Sequence, residues 1–527
     1  MLNQIVPILS HASGEIELPL SRGLHLHQRY WLENVRDSVG AGQFYFDAEA
    51  RTVSYRPVDA AERAALLDGS LPAVAPLRGS VVLVEDVANV TVRNLTFRDA
   101  DYFAIGTWTG PAAQPSDGAV RVNAATGVAV DACRFAAGLS GYGVVVGNAS
   151  KDVTVAASTF ADLGQGGVLF YGVDDATTAL NRPPSRGDVR WCVFERLGRT
   201  LIHAAAVGLR SASETYVGHN RISDVPRYAL QADTFYNLSV AGGRWSRSNV
   251  FEHNVVDLAS TETTDTGAIE LLGSQDPAPV GFDLHNVIRY NKVSRVLGSS
   301  STDGRDVCRG SAADAARGCR GLAWSIYLDG NYAGATIYGN VLDGSSKGAL
   351  VVNGGGNVSF YNNVVLAPKT AAVELSACYA GDAARVAWPG TTLRANVFYL
   401  PDAGSSAIAL PGPPNTRECT MIPGRVDSDR NLFWSPVADV AARALFPANG
   451  TLAAWRRGNA SAPGGRDDAP PFRWAGGDRR SRVADPLFAD VANGVLEPAS
   501  PAFALGFAAL PDFERLVPPK DTRDAPW

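Results

Sequence analysis

Short runs of alternating apolar and polar residues recur along this 527-residue chain from Val81 to Phe433. Runs such as Asn89-Val-Thr-Val92, Asp152-Val-Thr-Val155 and Asn357-Val-Ser-Phe360 place every second side chain on one face. Such alternation predicts strands with one buried face, and helical periods are nearly absent between residues 81 and 435. The middle of the chain is therefore predicted to be all-β.

A turn residue followed two positions later by a large apolar residue occurs eleven times in this region, at intervals of 23 to 49 residues. We interpret 23 residues as one bare coil and the longer intervals as a coil plus loops. Short strands at a coil-length repeat predict a β-solenoid with coils about 4.8 Å apart. A β-propeller, the alternative, has longer and more uniform repeats. The pairs are Leu95/Phe97, Cys133/Phe135, Ser158/Phe160, Cys192/Phe194, Asn220/Ile222, Asn254/Val256, Asn291/Val293, Asn340/Leu342, Asn363/Val365, Asn396/Phe398 and Asn431/Phe433.

Asparagine occupies the turn position in consecutive repeats. Because identical positions stack in a solenoid, each side-chain amide can satisfy the turn of the next coil. Asparagine is also an ordinary turn residue, so we assign these side chains a structural role. The predicted ladder contains Asn220, Asn254, Asn291, Asn340 and Asn363.

The flanking segments differ from the repeat region. In residues 1–80, the alternating runs Gln43–Asp47 and Thr52–Arg56 flank a turn and predict a β-hairpin, and Val58–Leu67 predicts a short helix. Residues 436–527 are irregular, and we expect them to pack over the last coils and protect an open end of the solenoid. The predicted organisation is therefore 1–80, 81–435 and 436–527.

Charge and composition exclude two classes of partner. The net charge of −6 argues against nucleic acid, and no apolar run is long enough to predict a membrane-spanning helix. The N-terminus does not predict a signal peptide. Seven Asn-x-Ser/Thr sequons nevertheless favour the secretory pathway or an extracellular location. They begin at Asn89, Asn94, Asn148, Asn237, Asn357, Asn449 and Asn459.

The six cysteines fall into two groups. Cys308 and Cys319 bracket one irregular loop, and Cys378 and Cys419 lie on successive excursions, so both pairs are disulfide candidates. The other two, Cys133 and Cys192, occupy inward repeat positions and are predicted to be buried thiols. No Cys-x-x-Cys spacing occurs, which argues against a zinc site.

Several motifs resemble one superfamily. They are the opening Arg29-Tyr-Trp-Leu-Glu-Asn-Val35 with its hairpin, His219-Asn-Arg-Ile-Ser-Asp-Val-Pro226, Asp265-Thr-Gly-Ala-Ile269, Ile326-Tyr-Leu-Asp-Gly330 and Asp485-Pro-Leu-Phe488. Together they resemble right-handed parallel β-helix proteins of the pectate-lyase-like superfamily, most of all glycoside hydrolase family 141 and its relatives. Those proteins usually have more chain before the opening motif, so we expect a truncated or variant N-terminus here.

The resemblance implies an enzyme that hydrolyses glycosidic bonds. Family 141 includes an α-L-fucosidase and a xylanase with a proposed catalytic pair of aspartates, which correspond to Asp265 and Asp329. It implies an oligo- or polysaccharide substrate, no cofactor and a monomer. The common Tyr-Leu-Asp-Asp-Gly of the relatives is Tyr-Leu-Asp-Gly-Asn here, and the loop 298–322 is long.

Coil alignment adds two further acids. Aligning Ala268–Gly273 with Ser325–Gly330 points Ile269 and Ile326 inward and Glu270 and Asp329 outward, and Asp233 faces outward from the preceding coil. Asp265 precedes the aligned strand, so either a bend brings it to Asp329, or Glu270 or Asp233 is the partner. The predicted order is Asp329, Asp265, Glu270, Asp233. Each could instead be a solvated strand end or a turn cap.

Five other side chains are candidates for substrate binding. Arg210 and His203 lie one or two coils earlier, near the same face. Aromatic rings can stack on the CH face of a sugar, although most aromatics on strands simply pack. The aromatic candidates are Trp324, Tyr327 and Tyr332.

Two alternatives remain. A polysaccharide lyase on the same fold would use calcium, held by acids such as Asp303 and Asp306 with Asp329, and a basic residue such as Arg305. A non-catalytic carbohydrate-binding solenoid would bind glycans on the same face but would have no coupled pair of carboxylates there. For the hydrolase we predict no metal.

Overall fold

The computed structural model describes residues 8–12, 15–17, 32–101, 118–147, 149–172, 183–233, 246–273, 284–298, 322–330, 333–353, 356–376, 390–402, 404–409, 426–437, 445–446, 451–457 and 477–519. Within these ranges, three parallel sheets of 11, 11 and 12 strands run along one axis. Successive strands belong to the three sheets in turn, so each coil contributes one strand to each sheet. The predicted all-β parallel β-helix is confirmed.

We name the sheets A, B and C in the order in which each coil visits them. Sheet A contains Val82–Glu85, Gly118–Asn123, Tyr142–Val146, Val168–Tyr171, Ala205–Arg210, Tyr228–Asp233, Thr266–Leu272, Ala323–Asp329, Gly348–Asn353, Ala371–Ser376 and Ser406–Ala409. Sheet B contains Thr91–Arg93, Ala129–Asp131, Thr154–Ala156, Asp188–Arg190, Tyr216–Gly218, Val250–Glu252, Asn286–Arg289, Ala333–Tyr338, Gly356–Tyr361, Thr391–Arg394 and Val426–Asp429. Sheet C contains Thr96–Phe97, Arg134–Phe135, Thr159–Ala161, Val193–Glu195, Arg221–Ser223, Val255–Ala259, Lys292–Val296, Val341–Asp343, Val364–Leu366, Val397–Tyr399, Leu432–Trp434 and Arg482–Val483.

The apolar members of the eleven repeat pairs form one column inside the solenoid. Strand register in sheet C pairs each with its counterpart in the next coil, from Phe97 to Phe433. The first four rings stack, and the centroids of Phe135 and Phe160 lie 4.6 Å apart. The repeat pattern therefore gave the correct coil register over the whole predicted region.

The predicted asparagine ladder is also present, at the corner between sheets B and C. The Nδ2 of Asn254 donates to Oδ1 of Asn291 at 3.0 Å, and the Nδ2 of Asn291 donates to Asn340 at 3.1 Å. The backbone N–H of each residue donates to the same Oδ1 as its side chain. The ladder continues to Asn396 and Asn431. All these amides are buried and hydrogen-bonded, which confirms their structural role.

The N-terminal hairpin and helix lie outside this core. Strands Gln43–Asp47 and Thr52–Arg56 pair antiparallel as predicted. The helix spans Ala60–Leu67, begins at the N-cap Asp59, whose carboxylate accepts from the N–H of Glu62, and has no buried residue. Two further antiparallel pairs are Ser10–Ala12 with Glu15–Glu17 and Phe488–Asp490 with Val495–Leu496. The described helices contain none that is both long and apolar enough for a membrane span.

The C-terminal residues pack against the outer face of sheet C. Apolar side chains that include Leu505, Phe507 and Phe513 cover Val341 and Val364 of the sheet. Short 3₁₀ turns occur at Arg36–Ser38, Phe503–Leu505 and Phe513–Leu516, and a second helix spans Leu452–Arg457. One outer face of the solenoid is therefore covered by the chain itself.

The cysteines divide as the sequence suggested, as far as the structure describes them. Cys133 and Cys192 are buried free thiols. Burial raises the pKa of the Cys192 thiol to about 12, so this side chain is unreactive. The disulfide candidates Cys308, Cys319, Cys378 and Cys419 lie outside the described residues.

Candidate active site on the outer face of sheet A

The strands of sheet A share a break in their alternation. Two adjacent residues both join the core, as in Ala229-Leu230 and Ala268-Ile269, and alternation then resumes. The residue after each such pair faces outward, and so does the residue two positions later. Two outward columns result, which follow the stack from coil to coil.

Strand register fixes which outward side chains are neighbours. In the first column, Glu270 pairs with Gln231 on one side and with Tyr327 on the other. In the second, Leu272 lies between Asp233 and Asp329. This is the register that the alignment of coils predicted. Asp233 and Asp329 are therefore two strands apart, roughly 10 Å between backbones.

A bend brings Asp265 back toward this face. Asp265 is exposed and has φ +55°, a left-handed conformation that few L-residues adopt, directly before strand Thr266–Leu272. The hydroxyl of Tyr327 donates to Oδ1 of Asp265 at 3.3 Å. The structure therefore contains a bend before this strand, and the charge of Asp329 also acts on Glu270.

Asp329 lies at the other end of the same hydrogen-bond chain. Its Oδ1 accepts from Nδ2 of Asn353 at 2.8 Å and from the N–H of Gly330 at 2.8 Å. Nδ2 of Asn353 also lies 3.2 Å from the Tyr327 hydroxyl. The contacts Asp265–Tyr327, Tyr327–Asn353 and Asn353–Asp329 form one chain. Together they span at most about 10 Å between the carboxylates of Asp265 and Asp329, which is the range in which glycosidase carboxyl pairs act.

The environment shifts the pKa values of two acids upward. Burial, and then the charge of Asp265, raise the pKa of Asp329 to about 6, although hydrogen bonds from Asn353 and Gly330 oppose the shift. Burial raises the pKa of Glu270 to about 8, with Arg227 opposing and Asp329 adding to the shift. Both carboxyl groups therefore hold a proton to a higher pH than an exposed acid does.

Glu270 and Asp233 are more deeply placed than the aspartate pair. Glu270 is 2% exposed, and its Oε2 accepts from the N–H of Gly267 at 3.0 Å. Asp233 is 1% exposed, and its Oδ2 lies 3.5 Å from Nε of Arg210. Asp265 is exposed and Asp329 half-buried, so these two have the better access to a substrate.

The remaining binding candidates that the structure describes lie on strands of sheet A or just before one. His203 packs edge-on against Tyr228 at 5.6 Å, and burial, with the charges of Arg227 and Arg210, holds its pKa well below the ordinary value. Trp324 and Tyr327 are 5% and 4% exposed, and their ring centroids lie 5.0 Å apart. The two ring planes are tilted by 49°, and Tyr327 offers the site its hydroxyl, which donates to Asp265.

Two residues near the carboxylates were missed by the sequence interpretation. Asn353 ends the next strand of sheet A, and extending the alignment by one coil would have placed it beside Asp329. Arg227 directly precedes strand Tyr228–Asp233, and its guanidinium donates to backbone carbonyls of the bend. No repeat pattern marks Arg227, because its partners are in a loop 37 and 38 residues away.

Some of the expected residues cannot be placed. Tyr332 and the calcium candidates Asp303 and Asp306, with Arg305, lie outside the described residues.

One group of the described part of the chain has metal-ligand chemistry, and it lies at the corner of sheets B and C. His219, Glu252 and His253 place their ligand atoms within 4.8 Å of one another. The two imidazoles stack, with 21° between their planes, and Nδ1 of His219 lies 2.8 Å from the carbonyl oxygen of Leu516. Arg289 already pairs with Glu252. The stacked rings, both on residues with left-handed backbone conformation, support a structural role.

Comparisons with known proteins give a likeness of fold. No family model and no curated protein matches the chain. A solved glycoside hydrolase is 17% identical, with TM-score 0.44, over 63% of this chain and 57% of that one. A GH87 α-1,3-glucanase catalytic domain in complex with nigerose is 13% identical (TM-score 0.41; 65% and 60%). A tailspike protein of E. coli bacteriophage HK620 in complex with a pentasaccharide is 11% identical (TM-score 0.38; 72% and 60%).

The match is partial in both directions. This chain spans 57% to 60% of the length of these three structures. At such low identity, the similarity concerns the parallel β-helix alone.

Proposed function

We propose that this protein is a carbohydrate-active enzyme, a glycoside hydrolase that uses Asp329 and Asp265 on the outer face of sheet A. The observation that carries the proposal is the hydrogen-bond chain that holds these two carboxylates on one face within about 10 Å. Glycosidic bond hydrolysis needs one carboxyl group as acid and a second as base or nucleophile.

The two environments suggest the roles. Asp329 is half-buried and has a pKa of about 6, so a large fraction of it is protonated in mildly acidic solution. It is the general acid, which transfers its proton to the glycosidic oxygen as the bond to the anomeric carbon breaks. Asp265, exposed at the bend, then either activates a water molecule or attacks the anomeric carbon.

The deeper acids support this pair. Glu270 is paired with Tyr327 in the first outward column and, while neutral, adds no negative charge to this face. Asp233 compensates the charge of Arg210. In this proposal the substrate is an oligo- or polysaccharide outside the cytoplasm, the protein is a monomer, and neither deeper acid contacts the substrate.

A glycan panel tests the proposal. The purified chain is incubated with plant, algal and microbial polysaccharides, and reducing sugar is measured. We expect release from at least one glycan by the wild type and a loss of about 10²–10⁴-fold in Asp329→Asn. Asp343→Asn is the matched control, because Asp343 is a half-buried acid on sheet C of the same coil. It should remain active.

Other outcomes would contradict the hydrolase. An unsaturated product that absorbs in the ultraviolet, formed only with calcium, would indicate a lyase. Binding of glycans without any product would indicate a non-catalytic solenoid. Equal activity in Asp329→Asn and the wild type would show that Asp329 takes no part in the reaction.

A further inference from the structure

The bend that carries Asp265 is held by one buried cation on the preceding coil. Arg227 is 7% exposed. Its Nη2 donates to the carbonyl oxygen of Asp265 at 3.0 Å, and its Nη1 lies 3.5 Å from the carbonyl oxygen of Thr264. A guanidinium presents its donors in a fixed plane, so one side chain fixes two successive peptide groups.

Arg227 is itself fixed on both sides. Its guanidinium lies over the ring of Tyr228, with Cζ 4.7 Å from the centroid. Its own carbonyl oxygen accepts from the N–H and the hydroxyl of Ser260, both at 3.1 Å. The hydroxyl of Thr263 donates to the carbonyl oxygen of Pro226 at 3.0 Å. Residues 260–265 are therefore docked onto residues 225–227 of the coil before.

The left-handed conformation makes such support necessary. A non-glycine residue in this region of φ/ψ space is unfavourable by about 1 kcal/mol or more and persists only where its surroundings impose it. If the bend relaxed to an extended strand entrance, the side chain of Asp265 would move away from the Tyr327 hydroxyl. The carboxylate of Asp265 depends for its position on contacts made by its own backbone.

We propose that Arg227 is a positioning residue that holds Asp265 opposite Asp329 by fixing the carbonyl groups of the bend. The inference rests on the proposed roles of the two aspartates. Arg227 acts through the backbone of residues 264 and 265, and it is assigned no contact with substrate.

Removing Arg227 has two effects of opposite sign on Asp329. Loss of a positive charge can change the pKa of Asp329 only upward. Movement of Asp265 away from Asp329 would lower it, since the charge of Asp265 is the second cause of the raised value after burial. A fall in the pKa of Asp329 is thus a signature of displacement, which a loss of charge alone cannot produce.

The experiment measures this pKa by carbon-13 NMR of aspartate-labelled protein in the wild type, Arg227→Met and Arg227→Lys. We expect the value to fall from about 6 toward the ordinary 3.8 in Arg227→Met. Arg227→Lys keeps the charge and one donor and should show a smaller fall. On a glycan that the wild type cleaves, kcat of Arg227→Met should fall at least about tenfold with KM within about twofold.

An unchanged or raised pKa of Asp329 in both variants would overturn the inference. If Arg227→Met does not fold, the charge-conserving Arg227→Lys alone decides, because any fall there comes from displacement. Wild-type protein that cleaves no glycan but shows the NMR shift would contradict the proposed function and leave the positioning role standing. If the wild type is active, and both Arg227 variants are fully active with an unchanged pKa of Asp329, only the positioning role is contradicted.

Discussion

Two columns of residues run along this solenoid, and they differ in composition. The ladder from Asn220 to Asn431 repeats one neutral residue, and its side-chain contacts are all 2.9 to 3.1 Å long. The first outward column of sheet A changes residue at every level, through Gln231, Glu270 and Tyr327. Two carboxyl groups on this face have pKa values well above the ordinary ones.

The difference follows from donor and acceptor chemistry. An amide both donates and accepts, so identical amides can satisfy one another through any number of coils. An ionised carboxylate only accepts, and stacked carboxylates at one coil spacing repel each other. Several carboxyl groups on one face of a solenoid therefore do not stabilise it as the amide ladder does. Perturbed titratable groups of this kind are concentrated at functional sites.

The largest expected effect comes from removing either carboxylate of the aspartate pair on sheet A. Asp265→Asn and Asp329→Asn should each lower hydrolysis by about 10²–10⁴-fold, and the double variant should lose little more, because the two carboxyl groups act as a unit. Thermal unfolding should change little, since each substitution removes a charge from a repelling pair. Initial rates and melting curves for the three variants measure both effects.

Multiplicative losses in the double variant would show that the two aspartates act independently. A melting temperature that collapses in either single variant would make the pair structural.

The next effect breaks the ladder. Asn291→Ala leaves Nδ2 and the backbone N–H of Asn254 without their acceptor and removes the donor to Asn340. Each buried group left unsatisfied costs about 1–3 kcal/mol, so the free energy of unfolding should fall by roughly 3 kcal/mol. Chemical denaturation of this variant and of Asn493→Ala, which lies outside the ladder, provides the measurement. A loss no larger than in Asn493→Ala would contradict the ladder's role.

A smaller effect concerns Glu270 and depends on pH. Its pKa is raised from 4.5 to about 8, so the folded state holds the proton more tightly than the unfolded state does. The resulting stability is fully present below about pH 4.5 and is lost as the pH rises through about 8. Glu270→Gln stays neutral, so its stability should exceed that of the wild type above pH 8 and match it near pH 4.5.

Melting temperatures between pH 4 and 9 measure this difference. Exposed Glu497→Gln is the control, and it should follow the wild type at every pH. A constant offset between Glu270→Gln and the wild type across this range would show that Glu270 is not a buried neutral acid.

The sequence was sufficient for everything that repeats. The eleven repeat pairs predicted the coil register, the interior column and the ladder, because stacking forces equivalent residues into contact. The same register placed Glu270 and Asp329 outward. The position of Asp265 could not be predicted, because its left-handed bend depends on Arg227 and other residues of a different coil that follow no period. Asn353 was within reach of the same alignment.

The central claim is that burial and the charge of Asp265 raise the pKa of Asp329. Titration of the Asp329 carboxyl group tests this claim most directly. In carbon-13 NMR of aspartate-labelled protein, with Asp329→Asn used to assign the resonance, the wild-type carboxyl should titrate with a midpoint of about 6. In Asp265→Asn the midpoint should move lower, because the variant lacks the negative charge that raises the pKa of Asp329. A wild-type midpoint near 3.8, or one that Asp265→Asn leaves unchanged, would contradict the account.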